Sequence, residues 1–222
     1  MALTLELFQT LYDLRQSSKV HYKHHMPHWF EQAISDVAIE KLAKWVVQSY
    51  QERNYQGLNE YLRQEQGSIN DYYEHEAELL NTILNDLPLP SSSTLWREEH
   101  YLEEKLKWAE KHLDEVLLIP SFWSTYSRRE RCPVEPTYQI KVSIDTKARL
   151  ISEYTGFQKG EAEALYKRGT RFRIVAVDTC IHLEEVDDVE PDLTAFDGYT
   201  ISQKDEDHED LGPLSLSDLG FI

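Results

Sequence analysis

The stretch KGEAEALYKRGTRFRI, Lys159 to Ile174, decides the fold of this chain. Phe172 and Ile174 alternate with polar residues in TRFRIVAV, a strand signature, and the glycine of KRGT supplies a tight turn ahead of them. In a strand, residues two apart point the same way. Glu161 and Glu163 are therefore expected to present both carboxylates to one side, with Ala162 and Ala164 facing the other. Taken alone, an E-x-E triplet in an acidic chain is ordinarily a solvated pair of charges. Its surroundings give it weight.

Working outward, Tyr138, Ile140, Val142 and Ile144 alternate in the same way, so the C-terminal half is expected to be mainly β. The N-terminal half has the helical period instead. Ile39, Leu42, Trp45, Val46 and Tyr50 fall on one helix face, as do Leu79, Leu80, Ile83, Leu84 and Leu87. PLPSSST, Pro88 to Thr94, breaks the pattern and reads as a connection between subdomains. A third amphipathic run carries Leu102, Leu106, Ala109, Leu113 and Val116 and is expected to stop at Pro120. The resulting expectation is an α+β protein. Residues 1–90 would form a helical subdomain, 91–202 a mixed β core, and 203–222 an acidic, flexible tail.

The chain has 222 residues, 41% apolar, enough for a sizeable core. Its 40 acidic and 23 basic residues give a formal charge of −17, a field that repels phosphate backbones and makes nucleic acid an unfavourable partner. Two cysteines are too few for a disulfide scaffold, and the opening MALTLELFQTLYDLRQ lacks a basic region followed by an apolar core. No run approaches membrane-spanning length, so no membrane association is expected. A cytoplasmic location fits, as does delivery into a target cell's cytoplasm by a route other than Sec export.

EAEALYKRGTRFRI resembles a segment of the arginine-directed mono-ADP-ribosyltransferases of bacterial toxin and phage type, in which E-x-E is followed by an apolar pair, a Gly turn and F-R-hydrophobic. ISEYTGFQKG, Ile151 to Gly160, is similar to that family's strand-end I-S and target-recognising loop, with Phe157 as its aromatic. Two further elements occur in the order the family requires. PSFWSTYS resembles F-x-S-T-S through Phe122, Ser124 and Thr125, with Tyr126 in place of the third Ser. TLWREEH supplies Trp96 and Arg97 of an aromatic-Arg-Gly element, with Glu98 in place of Gly. YQGLNEYLRQEQ, Tyr55 to Gln66, resembles the helix that precedes the first strand. Tyr126 also leaves open the sister class built on His-Tyr-Glu, with His100 as its histidine.

The resemblance implies NAD as co-substrate and an ADP-ribosyltransferase-like core with a mixed β-sandwich. It implies that Glu163 steadies the ribosyl cation, Glu161 receives the incoming guanidinium, and Ser124 holds Glu163. It implies that Arg97 clamps the dinucleotide phosphates, with Thr125 and Arg128 also on the cofactor side and Phe157 on the target side. The reaction would place ADP-ribose on an arginine of a target protein. The enzyme would serve as a toxin, an effector or a phage host-modifying enzyme, and an inhibitor or immunity protein is a natural partner. Two other readings stay open: a catalytically silent binding protein with this fold, favoured by Glu98 and Tyr126, and a transferase or NAD glycohydrolase with a different acceptor.

Other constellations carry less. His21, His24, His25 and His28 stand at helical spacings suited to zinc, but Pro27 spoils the helix and a surface cluster is expected. Cys132 and Cys180 show no C-x-x-C, and no metal site is expected. Arg128, Arg129 and Arg131 fit a solvated basic turn as well as an NAD contact. No G-x-G-x-x-G occurs, so NAD recognition would rest on side chains and strand ends.

Overall fold

The architecture comes from a computed structural model, which describes residues 3–17, 39–51, 55–63, 71–99, 102–132, 134–155 and 162–194. The described part of the helical half comprises α1 (Leu5–Ser17), α2 (Ile39–Ser49), α3 (Tyr55–Arg63) and α4 (Asp71–Asn85). Their apolar stripes meet in one cluster that includes Phe8, Leu42, Val46, Leu58, Leu80 and Ile83. Tyr50 and Gln51 continue α2 as a π-type turn, a widened geometry that often marks functional positions.

The second half contains β1 (Thr94–Arg97), α5 (Leu102–Lys111), β2 (Val116–Ile119), β3 (Trp123–Tyr126), β4 (Tyr138–Lys141), β5 (Ala148–Leu150), the short α6 (Ser152–Thr155), β6 (Glu163–Tyr166), β7 (Thr170–Val177), β8 (Ile181–Val186) and β9 (Leu193–Thr194). These strands are hydrogen-bonded in the order β5-β6-β3-β1-β4-β8-β7-β2-β9, with β4 and β8 parallel. The sheet is continuous, yet it folds over itself. Tyr166 of β6 and Phe172 of β7, five places apart in that order, meet edge to face at 4.9 Å, and Trp123 of β3 lies 5.3 Å from Phe172. The mixed β core therefore packs as a sandwich while remaining one sheet in its hydrogen bonds.

Two expectations are corrected. The third amphipathic run does not stay helical to Pro120: α5 ends at Lys111, Asp114 adopts φ 67°, and Val116 opens β2. The left-handed Asp114 turns the chain, and the β-branched and leucine-rich VLLI then pairs with β7. The alternation through Val142 and Ile144 likewise stops early, because β4 ends at Lys141 and Ile144 is 92% exposed.

Strand parity sets which residues face the helices. Ala164 and Tyr166 of β6 join the sandwich core, whereas Leu165 packs into the helical cluster with Phe122 and Ile151. Glu163, two residues before Leu165, shares its side. Arg168, in the turn between β6 and β7, is bonded to Glu74 of α4 at 2.8 Å, a second tie between the halves. Gly169 in that turn has φ 77°, a conformation glycine adopts at no steric cost. Among the described residues, no helix is long and apolar enough to cross a membrane.

Candidate active site

Glu163 opens β6, and every polar part of it is held. Its backbone N–H donates to the Ser152 hydroxyl at 2.8 Å, and its carbonyl accepts from the Ile151 N–H at 3.1 Å. The Ile-Ser pair at the end of β5 thus fixes the glutamate's main chain. One carboxylate oxygen accepts from the Ser124 hydroxyl at 2.6 Å, and the other from the Gln51 side-chain amide at 2.8 Å. Gln51 is itself oriented by the Thr155 hydroxyl, which donates to its carbonyl oxygen at 2.7 Å. Bonds to an ionised acceptor are the strong ones, so this half-buried carboxylate is confined in direction.

Ser124 faces the same way because β3 and β6 are antiparallel neighbours, with Ser124 opposite Leu165 and Tyr126 opposite Glu163. Its backbone carbonyl accepts from Arg97 Nη1 at 2.7 Å. One residue therefore joins the arginine of β1 to the glutamate of β6. The Arg97 guanidinium lies 5.2 Å from the Trp123 ring centroid, and its Nε donates to Glu99 at 2.7 Å. Among the described residues, two of its five N–H donors are engaged in this way, leaving a positively charged fork for a ligand.

Glu99 is the buried hub behind that arginine. Lys105 bonds its second oxygen at 2.6 Å, and Trp123 Nε1 reaches the first at 3.3 Å. Burial alone would raise this carboxyl, but the Lys105 and Arg97 charges and hydrogen bonds prevail and hold it at about 2. Sequence reading missed both Glu99 and Gln51. The W-R-E-E run offered two acidic residues with nothing to tell the buried one from the other, and Gln51 lies in a helix segment with an unremarkable polar composition.

The helical half reaches the site at a second point. Asn59 of α3 accepts from the Phe122 N–H at 3.1 Å and donates to the Tyr50 hydroxyl at 3.0 Å, all three groups being buried. Burial raises the Tyr50 hydroxyl well above its ordinary range, so it stays protonated. The Tyr50 and Phe122 rings meet edge to face at 5.7 Å. The residue that positions the start of β3 thus belongs to the YQGLN stretch singled out in the sequence.

The remaining expected site residues divide. Thr125 is 1% exposed, and its hydroxyl donates to the Ala164 carbonyl at 2.8 Å. It sits on the face opposite Ser124 and stitches β3 to β6. Arg128 is exposed just before a single 3₁₀ turn, Arg129–Arg131. Arg129 is committed to Glu135 at 2.7 Å. Glu161, Phe157, His100 and the histidines of the 21–28 cluster lie outside the described residues.

The two departures from the motif have structural accommodations. Glu98, standing where glycine is expected, turns its carboxylate to the loop after β3 and accepts from the Val134 N–H at 3.2 Å. Tyr126 ends β3, and Ser127 takes up polar work beside it, donating through both its N–H and its hydroxyl to the Ala162 carbonyl at 2.8 Å. Ala162 has φ 56°, a left-handed conformation that costs a non-glycine residue about 1–2 kcal/mol. The two Ser127 bonds hold it immediately before Glu163. β6 begins at Glu163, so the expected alternation does not include the left-handed Ala162.

Residues 28–192 match the model of the family described as ADP-ribosyltransferase exoenzyme. Among solved structures, the chain is similar to the Vis toxin, an ADP-ribosyltransferase from Vibrio splendidus, at 22% identity over 82% of this chain and 86% of that one, with a TM-score of 0.52. It is similar to the catalytic domain of VahC from Aeromonas hydrophila at 20% identity over 65% and 97% of the two chains, with a TM-score of 0.53. The ATR domain of Salmonella SpvB gives 16% identity, 65% and 98% coverage, and a TM-score of 0.53. No curated protein matches the sequence. At these identities the structural likeness shows the fold alone; the family rests on the sequence model.

Proposed function

The chain belongs to the ADP-ribosyltransferase exoenzyme family, whose substrate is NAD, and from that premise we propose that it is a toxin or effector that moves ADP-ribose from NAD to an arginine of a target protein. The observation that carries this reading is the Glu163 carboxylate, gripped by Ser124 and Gln51, with Arg97 bonded to the same Ser124.

The chemistry explains why such a carboxylate is needed. The bond between ribose C1′ and the nicotinamide nitrogen breaks, and its electron pair leaves with the pyridinium, which becomes neutral nicotinamide. No general acid is required. Positive charge develops on the ribose as it does in glycoside hydrolysis, and a fixed carboxylate stabilises that charge in the transition state more than in the neutral sugar. In this reading Glu163 supplies it, and the two hydrogen bonds hold it in place before substrate arrives, so little reorganisation is needed during reaction. The Arg97 fork suits paired phosphate oxygens, and Glu99 keeps its plane fixed. The support for NAD in particular includes a related clostridial ADP-ribosylating toxin, which was solved with NADH.

Arginine as the acceptor is supported by Glu161 in the E-x-E pair and by agmatine, an arginine analogue, bound in a Vis structure. A guanidinium attacks poorly while charged, and a carboxylate that takes its proton as nitrogen bonds to C1′ makes the attack feasible. The carboxylate of Glu161 fits that step. Incubation with NAD and agmatine tests the acceptor. Wild-type protein should form ADP-ribosyl-agmatine; Glu161→Gln should lose that product while still releasing nicotinamide to water. Equal loss of both activities would overturn the division of roles between the two glutamates. Nicotinamide release without agmatine product in wild-type protein would move the acceptor to water or another nucleophile.

A further inference from the structure

At the turn joining β7 to β8, the chain reads Asp178-Thr179-Cys180-Ile181-His182. The turn is tight: Asp178 N–H donates to the Cys180 carbonyl at 3.0 Å, and the Cys180 N–H donates to Asp178 Oδ1 at 3.0 Å. Cys180 immediately precedes β8 and His182 is the second residue of that strand, and their side chains come together where Asp178 returns to meet them. His182 Nε2 lies 3.0 Å from Asp178 Oδ1 and 3.6 Å from Cys180 Sγ, and the three ligand atoms all lie within 4.8 Å of one another. It is a cluster of one sulfur, one imidazole nitrogen and one carboxylate oxygen.

We propose that Asp178, Cys180 and His182 form a binding site for one divalent cation of zinc type, separate from the site around Glu163. The spacing supports it quantitatively. Zinc bonds of about 2.3 Å to sulfur and about 2.05 Å to nitrogen, arranged tetrahedrally, set those two atoms about 3.6 Å apart. That is the separation found here. The nitrogen–oxygen separation in the same geometry is about 3.3 Å and the sulfur–oxygen separation about 3.5 Å, so the exposed Asp178 carboxylate, 3.0 Å from the nitrogen and within 4.8 Å of the sulfur, completes the set by swinging about its side-chain bonds. Sulfur, imidazole and carboxylate together favour zinc or cobalt over magnesium or calcium, which take oxygen ligands. The carboxylate is oriented by the Cys180 N–H, the kind of outer contact that fixes a ligating group.

Hydrogen bonding alone uses the cluster poorly. The Nε2 of a neutral imidazole carries at most one proton, yet two potential partners converge on it. A cation serves all three groups at once. Three protein ligands leave one tetrahedral position for water or a fourth donor. The site is accessible, because the Asp178 side chain is 63% exposed, while Cys180 is buried beneath it.

Its place in the fold gives it a consequence. The Ile181 N–H donates to the Thr137 carbonyl, and the Thr137 hydroxyl bonds both the N–H and the carbonyl of Glu99, the residue that orients Arg97. A cation on the turn would pin the hairpin at the point from which this chain of contacts runs to the arginine. Sequence reading passed over it because it looked for C-x-x-C and helical histidine spacing, whereas these ligands are spaced i, i+2, i+4 across a turn.

The test is titration of chelator-treated, full-length protein with Co²⁺, without NAD. A thiolate-to-cobalt charge-transfer band should grow and saturate at one equivalent. The chain has only two cysteines, so Cys180→Ser should abolish the band and Cys132→Ser should leave it. His182→Gln should weaken apparent affinity by about tenfold or more, through loss of one ligand. Histidines elsewhere that take cobalt produce no thiolate band and cannot mimic the result. Zinc at about a hundred times its Kd should raise Tm by roughly 5–10 °C in wild-type protein and not in Cys180→Ser. No charge-transfer band in wild-type protein, or a band that survives Cys180→Ser, would overturn the proposal and leave a hydrogen-bonded turn. Neither outcome bears on transferase activity, which is measured separately.

Discussion

Gln51 and Glu163 are separated by 112 positions in sequence and joined by a 2.8 Å hydrogen bond that carries the helical half of the protein to the carboxylate at its chemical centre. The helices are therefore more than a support for the sheet. The amide arrives at the widened end of α2 and is held from behind by Thr155, so its direction is set by two separate elements.

Gln51→Ala should lower kcat/KM for NAD hydrolysis by roughly 10–100-fold, the equivalent of about 1.5–3 kcal/mol for a hydrogen bond to a charged group, with most of the loss in kcat. Gln51→Glu should do something different. Two carboxylates within hydrogen-bond reach favour protonation of one of them, so the acidic limb of the pH–rate profile should move to higher pH. A profile superimposable on that of wild-type protein would exclude contact between these side chains in the working enzyme.

Arg97→Lys should raise KM for NAD by about tenfold or more while leaving the protein folded. An ammonium keeps the charge, but it cannot bond the Ser124 carbonyl and Glu99 together and still present a planar fork. Steady-state kinetics alongside a thermal melt separates this from general destabilisation.

Glu99 predicts a pH dependence of stability whose sign follows from its lowered value. A carboxyl whose folded value lies below its unfolded one contributes stability that is fully present above the unfolded value and is lost as pH falls through the folded one. The window here runs from about pH 4.5 down to about pH 2, and the fall between them corresponds to on the order of 3 kcal/mol. Urea unfolding at a series of pH values should show Glu99→Gln with a flatter acid limb than wild-type protein. Equal slopes would mean that the Lys105 and Arg97 contacts do not persist in solution.

Asn59→Ala should cost about 2–4 kcal/mol, because it leaves the buried Phe122 N–H and Tyr50 hydroxyl without this partner. Chemical denaturation checks it. A loss below about 0.5 kcal/mol, the range of ordinary surface changes, would show that water reaches both groups.

Much of this was legible in the sequence, and the limits have identifiable causes. Apolar spacing placed α2 and α4, and alternation placed β4 and β7, because those patterns report directly on one buried face. The same reasoning carried the third helix too far, since Leu113 and Val116 satisfy a helical period that a left-handed Asp114 interrupts. Ser124, Arg97 and Glu163 could be picked out because they sit in short, ordered motifs. Gln51 and Glu99 could not, because what makes each of them matter is a partner far away in sequence or a buried neighbour such as Lys105. The place of Thr125 was hidden for a related reason: one step along a strand reverses the face, so its hydroxyl bonds the Ala164 carbonyl while that of its motif neighbour Ser124 turns to Glu163.

The central claim is that Glu163 carries the chemistry, and labelled NAD tests it most directly. Purified full-length protein and its Glu163→Gln variant, matched for fold by circular dichroism, are incubated with NAD labelled in the adenylate moiety and a cell lysate. The account predicts labelled protein bands with the wild type, sensitive to hydroxylamine as arginine linkages are, and at least a thousandfold less label with the variant, corresponding to about 4 kcal/mol of lost transition-state stabilisation. Labelling that persists in Glu163→Gln at a comparable rate would contradict it.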